Sequence, residues 1–185
     1  MKISIISASV RTGRNSHRVA LFFKRFIEEQ KLASVEILDL NVYQFPIFEE
    51  RLKFQKNADA KTIEFAEKIK SSDGVIIVTP EYNGGYPASL KNVIDLLTDE
   101  WKRKPVAIST VSAGGFAGMN VITSLQYSLW KIQAWAVPAM FPVPKVSESY
   151  DEQGNPTDKV GTEKRAHTFL NELIWCATAK KKMEE

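Results

Sequence analysis

Cysteine is almost absent from this chain. Cys176 is alone among 185 residues, so no internal disulfide can form. Histidine is nearly as scarce: His17 and His167 stand far apart in sequence, and with one cysteine they leave a metal centre no ligand set. No apolar run approaches the ~20 residues of a membrane-spanning helix. Neither G-x-G-x-x-G nor G-x-x-x-x-G-K-[ST] occurs, which disfavours a Rossmann dinucleotide site and a nucleoside triphosphatase. Charge is nearly balanced at +3, too weak a bias to argue for nucleic acid. The cluster Arg11, Arg14, His17 and Arg18 has no interleaved aromatics, so it too makes a poor nucleic-acid patch. The apolar start is too short for a signal-peptide core and is soon followed by Arg11 and Arg14. A reducing, cytoplasmic setting is the expectation.

What is present is an ordinary globular composition, 44% hydrophobic and 25% charged. The length suits one domain over residues 1–185. Apolar runs read as strands at residues 2–7, 35–40, 74–79, 105–111 and 135–138. Stripes at helical spacing fall between them, at residues 16–32, 58–71, 88–97, 116–132 and 158–179. Residues 41–57 form a long aromatic-rich connection, and a long loop runs to about residue 156. Alternating strands and helices predict an α/β fold with a parallel sheet and right-handed crossovers. Five strands with short crossovers suit a flavodoxin-like three-layer sandwich in strand order 2-1-3-4-5. There the ligand lies beyond the carboxyl ends of strands 1, 3 and 4.

The loops at those three ends have unusual compositions. After strand 1, residues 9–16 read S-V-R-T-G-R-N-S and lead into a helix. Hydroxyls of Ser9, Thr12 and Ser16, the Arg11 guanidinium and a helix N-terminus suit a phosphate. After strand 3, residues 79–87 read T-P-E-Y-N-G-G-Y-P, stiffened by prolines and bent by glycines. Such a loop can present backbone groups to the edge of a flat heteroaromatic ring, with Tyr82 or Tyr86 beside it. After strand 4, Ser112-Ala113-Gly114-Gly115 lets backbone approach a ligand closely. One phosphate site and one ring site on a single sheet edge match the two parts of FMN.

Three segments carry a family resemblance: S-A-S-V-R-T-G-R-N-S (7–16), T-P-E-Y-N-G-G-Y-P-A-S-L-K-N-V-I-D (79–95) and K-P-V-A-I-S-T-V-S-A-G-G (104–115). In order and spacing the chain resembles the NAD(P)H-dependent FMN reductases, a family that includes quinone, azo-dye and chromate reductases. The resemblance implies that Ser9, Arg11, Asn15 and Ser16 hold the FMN phosphate. It implies that Pro80, Glu81, Tyr82 and Asn83 line the ring, with Ser112, Gly114 and Gly115 approaching from the other side. Ser7, Gly85 and Ala88 depart from residues common in the family. The implied reaction is ping-pong hydride transfer from NADPH or NADH through FMN to a small-molecule acceptor, with no dedicated acid–base residue. Arg11 and Arg14 are the nearest candidates to favour NADPH. Exposed aromatic surface and the family habit imply a homodimer or homotetramer, with no membrane or nucleic-acid partner. The competing reading is a flavin-binding electron carrier with little turnover.

Overall fold

The computed structural model describes residues 1–184. Five strands form one all-parallel sheet: β1 (Lys2–Ser7), β2 (Ser34–Asp39), β3 (Gly74–Pro80), β4 (Pro105–Val111) and β5 (Trp135–Val143). Their order is β2-β1-β3-β4-β5, as read from the alternating pattern. β1 pairs with β2 through Ser7↔Asp39 and with β3 through Ser7↔Val78, so the chain reverses its winding direction beside β1.

The period-2 geometry of a strand divides the core into two halves. Ile3, Ile5, Ile76 and Val78 face one layer, formed by α1 (Ser16–Glu29) and α7 (Lys159–Glu184). Phe22, Phe23, Phe141 and Phe169 interlock there, the Phe23 and Phe141 rings meeting edge-on at 4.9 Å. Ile6, Val75, Ile77 and Ile108 face the opposite layer, made by α3 (Ala60–Ser71), α4 (Ala88–Leu96) and α5 (Val121–Lys131). Trp101 is fully buried in that half, whereas Trp130 and Trp175 are about two-thirds exposed, at 67% and 65%. Cys176 is buried in the α1–α7 layer and acts as packing.

Several boundaries differ from the sequence pattern. The connection after β2 contains a one-turn α2 (Leu40–Tyr43), capped by the Asp39 side chain accepting from the Asn41 amide. Tyr43 and Phe45 then pack on Phe65, while Ile47 stays exposed. The fourth long helix starts at Val121 rather than at residue 116. Ala117 and Gly118 both have positive φ, and a Cβ on Gly118 would sit 3.2 Å from the Val111 carbonyl oxygen. The chain therefore turns tightly over the end of β4 before it can coil. β5 runs on to Val143 through Pro138 and Pro142, which an edge strand tolerates. The following stretch holds another one-turn helix, α6 (Val146–Ser149).

Candidate active site at the switch point

Three loops converge above the carboxyl ends of β1, β3 and β4, around a cavity of about 170 Å³. Eight of the eleven residues expected there line it: Ser9, Arg11, Asn15 and Ser16 from the first loop, Pro80, Glu81 and Tyr82 from the second, and Ser112 from the third. Asn83, Gly114 and Gly115 do not. Asn83 and Gly84 have positive φ and form a two-residue turn, closed by paired hydrogen bonds between Tyr82 and Gly85 of 2.8 and 3.1 Å. Gly114 and Gly115 lie in the open, where a Cβ would meet nothing within 4 Å.

The first loop is pinned from several directions. Ala8 donates its amide to Val78 at 3.0 Å, and Ser89 at the start of α4 donates its hydroxyl to the Ala8 carbonyl at 2.6 Å. Arg14 lines the cavity but is already engaged as a cation. Its guanidinium forks onto both carboxylate oxygens of Asp39 and also donates to the Ser9 carbonyl at 2.7 Å. Burial alone would raise the Asp39 carboxyl, but the Arg14 hydrogen bonds, the Asn41 amide and the Arg14 charge outweigh it and hold it below the usual carboxylate range. His17 Nδ1 lies 3.0 Å from Ser7 Oγ and 3.7 Å from Asp39. Burial pushes its pKa down, against the pull of Asp39 and with the help of Arg14. Ser7, a departure from the family pattern, thus partners a histidine.

Arg14 is therefore removed as a candidate for recognising a nicotinamide phosphate, and Arg11 remains as the exposed cation of the loop. At the start of α1 no acidic residue occupies the first turn, and the capping residue Asn15 makes no side-chain cap. Asn15 instead donates to Ser147 Oγ at 3.1 Å. Ser16 Oγ is buried without a hydrogen-bond partner. A buried orphan hydroxyl beside an uncapped helix N-terminus and an arginine makes a donor set suited to an anion. The one carboxylate on the rim, Glu81, is engaged by Asn120 through its side-chain amide at 2.9 Å and its backbone amide at 3.2 Å.

Sequence reading missed Val111, Ala113 and Val146 as cavity walls, and Asp39, Asn120 and Ser147 as their polar supports. α6 reaches the site because Val146 and Lys145 donate their amides to Ser112 and Gly114 carbonyls, each at 3.0 Å. Nothing in that stretch's composition announces it. A larger concavity of about 530 Å³ lies on the other side of the first loop, between Val10, Phe45, Ile47 and Ala88. It is mainly apolar and carries no cationic side chain, so size alone does not select it as the anion site. Among the described residues no group of three or more His, Cys, Asp or Glu side chains is placed to hold a metal ion, and no helix is long and apolar enough to cross a membrane.

The family profile described as NADPH-dependent FMN reductase matches residues 1–148. The chain belongs to that family. The NAD(P)H-dependent FMN reductase of Saccharomyces cerevisiae is 37% identical over 140 residues, 68% of this chain and 72% of its own length. An NADPH azoreductase of a Bacillus species is 31% identical over 75% of this chain and 74% of its own, and a quinone reductase of Pseudomonas putida 26% over 85% of each. The flavoenzyme FerB of Paracoccus denitrificans superposes with a TM-score of 0.79 at 22% identity, covering 96% of this chain and 97% of its own. A flavodoxin of Pseudomonas aeruginosa gives 0.58 at 15% identity, covering 94% and 99%. The fold is flavodoxin-like. As a member of the NADPH-dependent FMN reductase family the protein is an oxidoreductase that works with FMN and a reduced nicotinamide.

Proposed function

We propose that this protein holds FMN as a bound cofactor at the switch-point cavity and acts as a single-domain, ping-pong NAD(P)H:acceptor reductase. The acceptor is a small flat or oxyanionic molecule such as a quinone, an azo compound, free flavin or a metal oxyanion. The observation that carries the reading is the unpartnered, buried Ser16 hydroxyl at the uncapped start of α1, beside Arg11. These groups fit a phosphate dianion: Arg11 supplies charge, while Ser9, Ser16 and the first amides of α1 supply donors. Asn15 buttresses them through Ser147. When bound, FMN supplies the hydride-accepting and electron-releasing chemistry.

The remaining residues shape and tune the site. Pro80, Glu81 and Tyr82 form the ring-side wall, with Asn83 in the turn next to it and the Glu81 carboxylate held by Asn120. Ser112, Gly114 and Gly115 leave backbone open on the other side. Ser112 Oγ donates to the Gly114 carbonyl at 2.8 Å, which fixes that loop's curvature. Exposed Val42, Ile47, Phe116 and Trp130 support assembly into a homodimer or homotetramer. The one cysteine, buried, suits a reducing compartment such as the cytoplasm.

The test is to add FMN, desalt, and record the visible spectrum before and after anaerobic NADPH and then a quinone. Retained yellow colour that bleaches with NADPH and returns with quinone is the expected result. Colour without bleaching points to a carrier, and no retained flavin overturns the assignment.

A further inference from the structure

Ser9 and Tyr82 were expected to serve opposite ends of the ligand. In the structure their hydroxyl oxygens lie 2.6 Å apart. Ser9 is fully buried, and its Oγ also accepts the Arg11 backbone amide at 3.3 Å. Its carbonyl is held by Arg14 at 2.7 Å. A serine oxygen has two lone pairs and one proton. The Arg11 amide takes one lone pair. Either hydroxyl could donate by geometry, but a phenol is a stronger donor than an aliphatic alcohol and a weaker acceptor, which favours the Tyr82 hydroxyl donating to the second lone pair. The Ser9 proton is then the one left over, beside the cavity that Arg11 and Ser16 share.

Resting on the phosphate site proposed above, we infer that Tyr82 is a positioning residue for phosphate recognition, acting through Ser9. By filling the last acceptor position of Ser9 it turns that hydroxyl into a committed donor toward an anion. It thereby ties the second loop to the first. The consequence is selectivity for a phosphorylated flavin over the same ring without phosphate. Tyr86 takes no part, because its hydroxyl is 2.7 Å from Ser128 Oγ on α5.

The experiment compares dissociation constants for FMN and for riboflavin, by flavin fluorescence, in wild type, Tyr82→Phe, Ser9→Ala and the double variant, with melting temperatures alongside. Losing a hydrogen bond to a charged group should weaken FMN binding about 10- to 100-fold in Ser9→Ala, and an unoriented donor should cost about tenfold in Tyr82→Phe. Riboflavin affinity should hold in both. In the Ser9→Ala background Tyr82→Phe should change nothing further, because its route is gone. Equal losses for both flavins in Tyr82→Phe would overturn the inference and return Tyr82 to the ring wall. A loss that persists in the Ser9→Ala background would overturn it by making Tyr82 a direct phosphate contact. Arg11→Ala separates this from the parent assignment: if it too leaves the FMN-to-riboflavin ratio unchanged, the phosphate site itself is wrong.

Discussion

Replacing Arg14 by methionine keeps a long stem and removes the fork that Asp39 accepts. The two side chains are only 14% and 13% exposed, so the pair is mostly buried. Removing one partner of a buried pair costs about 3–5 kcal/mol, chiefly through the charge left behind. Here Asp39 keeps the Asn41 amide at 3.0 Å and some solvent, which places the expected loss near the lower end, about 3 kcal/mol. In a chain of this length that lowers the melting temperature by about 6–12 °C. His17 provides a second handle. With the Arg14 repulsion gone its folded pKa should move back up toward the unfolded value, while burial, which outweighs the pull of Asp39, keeps it below. A histidine pKa held below its unfolded value costs stability as pH falls, and the variant, with one lowering influence removed, bears less of that cost at pH 6 than wild type does. The variant's deficit should therefore be larger at pH 8 than at pH 6. Urea unfolding at both values, with a constant m-value, measures it. Arg14→Met combined with Asp39→Asn should regain part of the loss by removing the orphan charge. A cost below about 1 kcal/mol at pH 8, or a double variant less stable than Arg14→Met, would refute the claim that this pair fastens the first loop.

Three further outcomes are expected. Ser16→Ala should weaken FMN binding about tenfold while leaving the urea midpoint unmoved, since Ser16 Oγ bonds to nothing in the protein; fluorescence titration and unfolding measure the two separately. Wild-type stability should fall as pH drops below about 6.5, because the half-buried His17 resists a proton that the unfolded chain accepts. It should fall again below about pH 4 as Asp39, held low in the fold, is finally protonated; thermal melts across pH, with His17→Gln flattening only the upper step, check the assignment. Trp101→Ala should cost about 3–5 kcal/mol by emptying a fully buried site. Trp101→Phe should cost much less, because the indole N–H it removes has no partner; equal losses in chemical denaturation would contradict this.

The strand order and the meeting of three loops were legible because they follow from local signals. Apolar runs such as 74–79 mark covered strands, and helical stripes between them force parallel crossovers. The site positions followed from those loop compositions together with the family motif. Part of that motif proves to be scaffolding: Ser89 pins the first loop, and Asn92 donates to the Pro46 carbonyl at 2.7 Å, tying the long connection to α4. Legibility failed where partners are far apart in sequence. Arg14 and Asp39 are 25 positions apart, so their pairing needs the fold, and Arg14 read from its own loop looks like an anion ligand. It failed also where tertiary context overrides local pattern. The apolar run read as a strand at residues 135–138 extends to Val143 in the fold, because an edge strand needs hydrogen bonds on only one side and so tolerates its prolines.

Those prolines have one more consequence. A β-sheet can grow by accepting a foreign strand along any open border, and Pro138 and Pro142 put ring carbons where donors are required on the β5 border. Copies of this chain are thereby barred from zipping their sheets together along that side into a continuous ribbon. Any contact between copies along that border would have to be made by side chains rather than by a continued backbone ladder.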